Sequence, residues 1–193
     1  MDEEKPRYWD VINMLDKLEL RHSTNKAIVE ENVFIRGSLL AKNGVIIKAG
    51  TYIDGNVYIG KNSVIGPNVY LRGNVIIADN CKISSSEIKN SILLSGARVP
   101  HFSYVGDSIL GHKVNMGAGA KIANLRMDGA TVKVDLFGNK IDSKRKKLGA
   151  LIKDYSSIGI NAAINCGVII GKKCIVFPGT FVRKSFQDKM IIC

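Results

Sequence analysis

Large aliphatic residues recur at every sixth position through much of the chain. The first series comprises Val29, Ile35, Ala41, Ile47, Ile53, Ile59, Ile65, Leu71, Ile77 and Ile83. A second series, in which many residues are smaller, lies four positions after the members of the first. A helix repeats its apolar face at spacings of three and four, whereas the β-branched residues of these series favour strands. Each hexad therefore predicts one short strand followed by a corner.

The hexad pattern continues with small shifts beyond residue 83. It moves by one residue at Ile88 and Leu93, and again at Leu110. After an interruption it returns at Ile152, Ile158, Ile164, Ile170, Val176 and Val182. About twenty such units in nearly one phase are typical of a repeat protein whose stacked coils bury a common aliphatic ladder.

Two segments break the ladder. Residues 6–21, PRYWDVINMLDKLELR, carry apolar residues at spacings of three and four, which predicts a short amphipathic helix. We expect this helix to cover an open end of the stacked coils, because an uncapped end exposes both backbone and core. Residues 123–151 contain the alternating stretch TVKVDL and a turn at 137–140, which predicts a hairpin projecting from the coils. The predicted organisation is an N-terminal helical segment, 1–26, and a β-coil domain, 27–193.

Composition and charge narrow the functional classes. The sequence has no run of roughly 20 apolar residues, and its acidic N-terminus is unlike a signal peptide, so we predict a cytoplasmic protein with no membrane contact. The four cysteines show no paired metal-ligand spacing, which predicts reduced thiols and no metal site. The net charge of +11 calls for an anionic partner. The basic residues are scattered without a nucleic-acid-binding motif, so a phosphate-rich small ligand is preferred over nucleic acid.

His101 is the first candidate for chemistry. A core of stacked coils has no pocket, so function is expected at corners, insertions and clefts between subunits. His101 lies in VPHFSYVGD, where the hexad register places it near a corner and facing outwards. Imidazole is well suited to accept a proton near neutral pH, although an isolated exposed histidine is more often an ordinary surface residue. His22 and His112 are predicted to be such surface residues.

Four motifs carry a resemblance to a known family. They are IGPNVYLRG, EIKNS, VPHFSYVGD and VNMGAGAKIANLRMDG. With its hexads the chain resembles the hexapeptide-repeat transferases. Over about residues 45–185 it is similar to the acetyltransferase half of bifunctional sugar-1-phosphate nucleotidylyltransferase/acetyltransferases, especially the archaeal ones. The resemblance implies an all-β, left-handed parallel β-helix with three hexads in each coil, and therefore about seven coils.

The resemblance also implies roles for individual residues. It implies one general base for the attacking sugar amine, His101. It implies five residues that bind or orient an amino-sugar phosphate: Arg72, Lys89, Tyr104, Asn115 and Lys133. It implies four residues that line a groove for acetyl-CoA: Ala118, Asn124, Gly159 and Ile160. The bacterial enzymes tend to have serine at the position of Ile160, so the resemblance implies no side-chain hydroxyl contact there. The archaeal ones often have lysine at the position of Ala130, so a weaker or altered sugar preference is expected.

The expected function is transfer of an acetyl group from acetyl-CoA to the amine of glucosamine-1-phosphate or galactosamine-1-phosphate. A thioester is already activated, so direct attack needs no covalent intermediate. The resemblance implies a homotrimer with sites between neighbouring β-helices. No phosphate loop of a nucleotidyltransferase half is found near the N-terminus, which suggests a separate acetyltransferase module or a fragment. A non-catalytic β-helix that assembles or regulates other subunits, and an acetyltransferase for another amine, are the alternatives.

Overall fold

The computed structural model of the chain describes residues 7–20 and 26–193. This described part contains one helix and 23 strands, and most of the strands have only two or three residues. In chain order they are α1 (Tyr8–Asp16), β1 (Ile28–Val29), β2 (Phe34–Ala41), β3 (Ile46–Ile47), β4 (Tyr52–Ile59), β5 (Val64–Ile65), β6 (Tyr70–Ile77), β7 (Lys82–Ile83), β8 (Glu87–Lys89), β9 (Ile92–Leu93), β10 (Arg98–Val99), β11 (Tyr104–Gly106), β12 (Ile109–Leu110), β13 (Asn115–Met116), β14 (Lys121–Ile122), β15 (Lys133–Leu136), β16 (Asn139–Asp142), β17 (Leu151–Ile152), β18 (Ser157–Ile158), β19 (Ala163–Ile164), β20 (Ile169–Ile170), β21 (Ile175–Val176), β22 (Phe181–Val182) and β23 (Ile191–Ile192). The predicted series of short strands and corners is confirmed.

The strands stack in parallel to form a β-solenoid with three faces. Face 1 is a nine-stranded sheet in the order β1, β3, β5, β7, β10, β13, β18, β21, β23. Face 2 consists of the first halves of β2, β4 and β6, followed by β8, β11, β14, β19 and β22. Face 3 consists of the second halves of the same three strands, followed by β9, β12, β17 and β20. The nine levels of face 1 exceed the predicted seven coils, because the ladder runs on to β23.

Glycine allows the three long strands to turn from face 2 to face 3. Gly55 has a φ of +141°, and a Cβ atom there would lie 2.2 Å from the carbonyl oxygen of Gly73 on the next coil. Only a residue without a side chain fits so close an approach. Above β6 the coil shortens, since Tyr52 pairs with Tyr70 but Tyr70 pairs with Glu87, 17 residues later. This shortening accounts for the register shifts read from the sequence.

The aliphatic ladder forms the core. Its inward side chains are buried from Leu39 to Ile192, and Cys81 and Cys174 occupy two of the inward positions. At the first coil, Val29 and Ile35 stay partly exposed, so this end of the ladder is open in the described part of the chain.

Helix α1 lies on the flank of the solenoid, so its predicted position over an open end is wrong. Trp9, Ile12 and Leu15 are buried against a column of face 3. That column consists of the outward residues Ile76, Ile92, Ile109, Leu151 and Ile169. The apolar side of α1 is therefore buried by aliphatic residues that point away from the ladder. Residues 1–6 and 21–25, including His22, lie outside the described residues.

The insertion forms the predicted hairpin, with β15 and β16 paired antiparallel. It does not project freely, because Val132, Val134 and Leu148 are buried in the same flank cluster as α1. The backbone nitrogen of Asp135 also donates to the carbonyl oxygen of Gly167 at 3.1 Å. The alternation of TVKVDL therefore reflects one side packed on the coils and one side facing solvent. Within the described residues, no helix is long and apolar enough to cross a membrane.

Candidate active site

His101 lies at the corner between face 1 and face 2, between β10 and β11, and it is exposed. Its carbonyl oxygen accepts hydrogen bonds from the backbone of Gly119 at 2.9 Å and from the hydroxyl of Ser103 at 3.1 Å. Its backbone is thus fixed by the next coil. The neighbouring Phe102 has a φ of +49° and an exposed ring. The predicted position of His101, outward at a corner, agrees with the structure.

Three of the four residues predicted to line the acetyl-CoA groove share this corner with His101. Ala118 and Ile160 accept backbone hydrogen bonds in the same way as His101, from Asn161 and Gly179 at 2.8 Å each. His101, Ala118 and Ile160 therefore stand on successive coils of one corner. Gly159 precedes Ile160, and its Cβ would lie 2.4 Å from the nitrogen of Pro178. The fourth residue, Asn124, is placed elsewhere.

Arg72 and Tyr104 lie on face 2, on the two strands that flank β8. The Nε atom of Arg72 donates to Oε1 of Glu87 at 2.6 Å, and both side chains are about one third exposed. Burial raises the pKa of Tyr104, the charges of Asp107 and Glu87 raise it further, and Arg72 opposes the change. The phenol is therefore a neutral hydrogen-bond donor at physiological pH.

A buried polar cluster lies immediately beyond Arg72, at the corner between face 2 and face 3. Its centre is Asp107, whose side chain is 2% exposed. Lys89 donates to Asp107 from Nζ at 2.8 Å, and the amide groups of Asn90 and Asn124 donate at 3.0 and 2.5 Å. Asn124 also hydrogen-bonds to Tyr104. The cluster thus joins three of the predicted site residues around a carboxylate that the sequence analysis did not select.

The same cluster ties helix α1 to the insertion. Asp16, at the end of α1, accepts from Asn90 and from Arg145 at 2.6 Å each. Arg145 also donates to Asn13 at 2.6 Å and lies 3.8 Å from Asp107. Arg145 belongs to the basic run 144–147, whose composition by itself predicts a solvated loop or a phosphate contact. Its side chain is instead mostly buried and ion-paired.

Asn115 and Lys133 lie outside this cluster. Asn115 is exposed on face 1, between Arg98 and Ser157 on the neighbouring coils. Lys133 is exposed on the hairpin, beside a cavity of about 680 Å³ that also contacts Cys166. Burial raises the pKa of the Cys166 thiol, so this cysteine is not activated as a nucleophile. Among the described residues, no group of histidine, cysteine and acidic side chains is arranged to hold a metal.

At low pH, helix α1 is expected to pack less firmly on the solenoid, and the fluorescence of Trp9 should reveal this change. Burial alone would raise the pKa of Asp16, but hydrogen bonds from Arg145 and Asn90 and their neighbouring charges hold that pKa below its ordinary value. Such a carboxylate stabilises the fold above its unfolded-state pKa, and the contribution is lost as the pH falls through the folded-state value. The emission of Trp9, a buried residue and the only tryptophan of the chain, should shift to longer wavelength below about pH 4.

Asp16→Asn should remove this acid step from the fluorescence titration, because the ionisable group is gone. Asp54→Asn is the matched control, since Asp54 is a partly exposed carboxylate on face 2. The control should keep the step. An Asp16→Asn protein with the wild-type acid profile would contradict the assignment.

The chain is similar in sequence to known proteins over most of its length. A family model described as the GMPPB C-terminal domain matches residues 47–137. A bifunctional sugar-1-phosphate nucleotidylyltransferase/acetyltransferase from Sulfurisphaera tokodaii is 46% identical over 189 residues, which are 95% of this chain and 46% of the relative. The bifunctional protein GlmU from Methanocaldococcus jannaschii is 38% identical over 191 residues, which are 96% of this chain and 46% of the relative. The chain thus spans slightly less than half the length of these curated relatives.

One solved structure, WeeI from Acinetobacter baumannii, aligns with 94% of this chain and 59% of its own at 18% identity and a TM-score of 0.37. That likeness is too weak to bear on function. By its fold, the chain is a hexapeptide-repeat β-solenoid. By its sequence, it is homologous to the C-terminal acetyltransferase part of bifunctional GlmU-type proteins, which confirms the resemblance carried by the motifs.

Proposed function

We propose that this chain transfers the acetyl group of acetyl-CoA to the amine of an amino-sugar 1-phosphate, glucosamine-1-phosphate or galactosamine-1-phosphate. The observation that carries the proposal is the juxtaposition of two groups of side chains. Arg72 and Tyr104 are polar residues of face 2, and His101 stands at the adjoining corner with Ala118 and Ile160. The homology to bifunctional acetyltransferases supports the same reaction.

In the proposed reaction His101 is the general base. The sugar amine attacks the thioester carbonyl while the imidazole of His101 takes one of its protons. The C–S bond then breaks, and the thiolate of coenzyme A takes a proton to leave as the free thiol. A thioester needs no further activation, so base catalysis and alignment of the two substrates supply the main part of the rate. No cysteine is required as a nucleophile.

Arg72 is the better placed of the two proposed phosphate ligands. Its Nε atom is hydrogen-bonded to Glu87, so its two terminal nitrogens can both donate hydrogen bonds to phosphate oxygens. The Lys89 ammonium group is hydrogen-bonded to Asp107, and its side chain is only 15% exposed. It can therefore donate only its remaining N–H groups to a phosphate. In this proposal the neutral hydroxyl of Tyr104, on the same face of the solenoid, orients the sugar.

We also propose a homotrimer, because two of the proposed substrate-binding residues lie far from the others within one chain. Asn115 on face 1 and Lys133 on the hairpin are exposed, and both lie away from Arg72 and the Asp107 cluster of their own chain. In a trimer with sites between neighbouring solenoids, they would face the cluster of an adjacent chain. We place the reaction in the cytoplasm, in agreement with the composition.

The proposal is tested by following thiol release from acetyl-CoA with a set of acceptors. We expect turnover with glucosamine-1-phosphate or galactosamine-1-phosphate. Glucosamine should react at least about tenfold more slowly in kcat/KM, because it lacks the charged phosphate for Arg72. N-acetylglucosamine-1-phosphate, which has no free amine, measures background hydrolysis. Thiol release at the background rate with every amino-sugar phosphate would overturn the proposal and favour a non-catalytic β-helix.

A further inference from the structure

A long groove separates the hairpin from the last coils. It consists of two adjoining cavities of about 680 and 610 Å³, which share Asp135, Lys140 and Arg183. We call it the hairpin groove. It contains none of the side chains of the Arg72, Tyr104 and Asp107 cluster.

The hairpin groove is held open by contacts at its floor. The backbone nitrogen and hydroxyl of Ser185 donate to the side chain and carbonyl oxygen of Asp135 at 2.7 and 2.5 Å. On the neighbouring coil, a Cβ atom at Gly167 would lie only 2.4 Å from the carbonyl oxygen of Lys133. The hairpin therefore packs closely on two successive coils, and this packing fixes the shape of the groove.

The groove carries positive charge that no acid neutralises. In the described part of the chain, no carboxylate lies within ion-pair distance of its cations Lys133, Lys140, Arg183 and Lys184. A fifth cation, Arg126, is paired with Asp128. A concave surface of this kind attracts anions, and arginine in particular matches the geometry of phosphate.

The one other acidic residue of the groove, Asp135, is already engaged. One of its oxygens accepts from the backbone nitrogen of Gly138 at 2.9 Å, and the other accepts from Ser185. Its carboxylate therefore fixes the turn of the hairpin and its contact with the last coils. A bound anion would meet the lysine and arginine side chains, while the two carboxylates of the groove, Asp128 and Asp135, are held by partners of their own.

Aromatic rings stand beside these cations, exposed at Phe181 and half-buried at Phe186. The guanidinium of Arg183 lies 4.9 Å from the ring of Phe181, and Nζ of Lys184 lies 5.6 Å from the ring of Phe186. Phe137, at the tip of the hairpin, is 47% exposed. An exposed aromatic ring can stack with a planar base, while neighbouring cations bind phosphate. The combination fits a nucleotide better than a phosphate ion alone.

We propose that the hairpin groove is a binding site for a phosphorylated nucleoside. Arg183 and Lys140 hold the phosphates, and Phe137 packs on the base. The ligand has two possible sources with the same chemistry, a free nucleotide or the phosphorylated adenosine end of coenzyme A. The second source rests on the proposed acetyltransferase function, whereas the site itself does not.

Binding of adenosine 3′,5′-bisphosphate to the full chain, measured by calorimetry, tests the site without any turnover. The bisphosphate should bind, and adenosine should bind far more weakly. Arg183→Gln and Phe137→Ala should each weaken binding about tenfold or more. Arg36→Gln is the matched control, because Arg36 is an exposed arginine near the opposite end of the solenoid, and it should bind as the wild type does. Absence of bisphosphate binding, or equal binding by Arg183→Gln and the wild type, overturns the proposal.

Acetyl-CoA and acetyl-pantetheine distinguish the two sources. If the groove holds the nucleotide end of the donor, Arg183→Gln should reduce the preference for acetyl-CoA over acetyl-pantetheine about tenfold. If it holds a free nucleotide, this preference stays as in the wild type while bisphosphate binding is still weakened. Either result supports the nucleotide site and assigns its source. A chain that binds the bisphosphate but transfers no acetyl group would contradict the proposed function alone.

Discussion

Replacing His101 by alanine is expected to lower kcat for acetyl transfer by about 10²–10⁴-fold, the usual contribution of a general base. The fold should be unaffected, because the imidazole is exposed and the contacts that fix this corner use the backbone carbonyl. Thiol release from acetyl-CoA measures the loss, and thermal unfolding shows whether the variant remains folded. A large loss of rate with an unchanged melting temperature is the expected pair of results.

His112→Ala is the control for this experiment. His112 is also at a corner of the solenoid, but at the one between face 3 and face 1, and it is exposed. Its removal should leave both rate and stability at the wild-type level. Full activity of His101→Ala would remove the base from the proposed mechanism.

Asp107→Ala is expected to destabilise the protein by about 3–5 kcal/mol, because it leaves a mostly buried lysine without its partner. Lys89, Asn90 and Asn124 all donate to this one carboxylate. Their amide and ammonium groups would lose both charge compensation and hydrogen bonds. The free energy of unfolding in urea measures the effect. We also expect a higher KM for the amino-sugar phosphate, since Lys89, a proposed ligand of its phosphate, loses the hydrogen bond that fixes its position.

Two comparisons separate this effect from general sensitivity to mutation. Asp54→Ala removes one partner of the exposed pair with Arg36, whose atoms are 3.9 Å apart, and it should change stability little. Lys89→Met combined with Asp107→Ala should recover part of the lost stability, because no uncompensated charge remains. The interpretation of Asp107 as the centre of the cluster is wrong if Asp107→Ala costs no more than Asp54→Ala.

The sequence pattern was sufficient to predict the solenoid and its inward residues. A strict period of six left only one way to bury the aliphatic series, and Ile47, Ile59 and Ile77 are fully buried as expected. The left-handed sense of the coils came from the family resemblance, since the usual preference for right-handed parallel crossovers would have argued the opposite. The register shifts reflect coils that are one or two residues shorter.

The position of α1 was missed although the sequence contains a signal for it. Face 3 has aliphatic residues on both sides of the sheet, as in the pairs Ile76-Ile77, Ile92-Leu93 and Ile169-Ile170. In a coil with one solvated side, the outward member of each pair would usually be polar. Consecutive aliphatic residues in successive coils therefore mark a face that another segment covers.

The candidate site was predictable where it depends on the repeat, and unpredictable where it depends on the two segments that break it. His101, Ala118 and Ile160 meet because equivalent positions of successive coils fall on one corner. Asp107 and Arg145 meet only because the insertion and α1 fold back on the flank. No residue spacing in the sequence predicts that these two segments pack on the flank.

Helix α1 and the insertion, packed together on face 3, should make the middle coils of the solenoid harder to unfold than the coils at its ends. A stack of coils has contacts only between neighbours, so its amide hydrogens exchange first at the two ends and progressively later towards the middle. The apolar residues of α1 and of the insertion together cover Ile76, Ile92, Ile109, Leu151 and Ile169, which belong to five successive levels of face 3. Those levels include the coils that carry His101 and Asp107. The terminal coils can therefore fray and re-form while the proposed site keeps its shape.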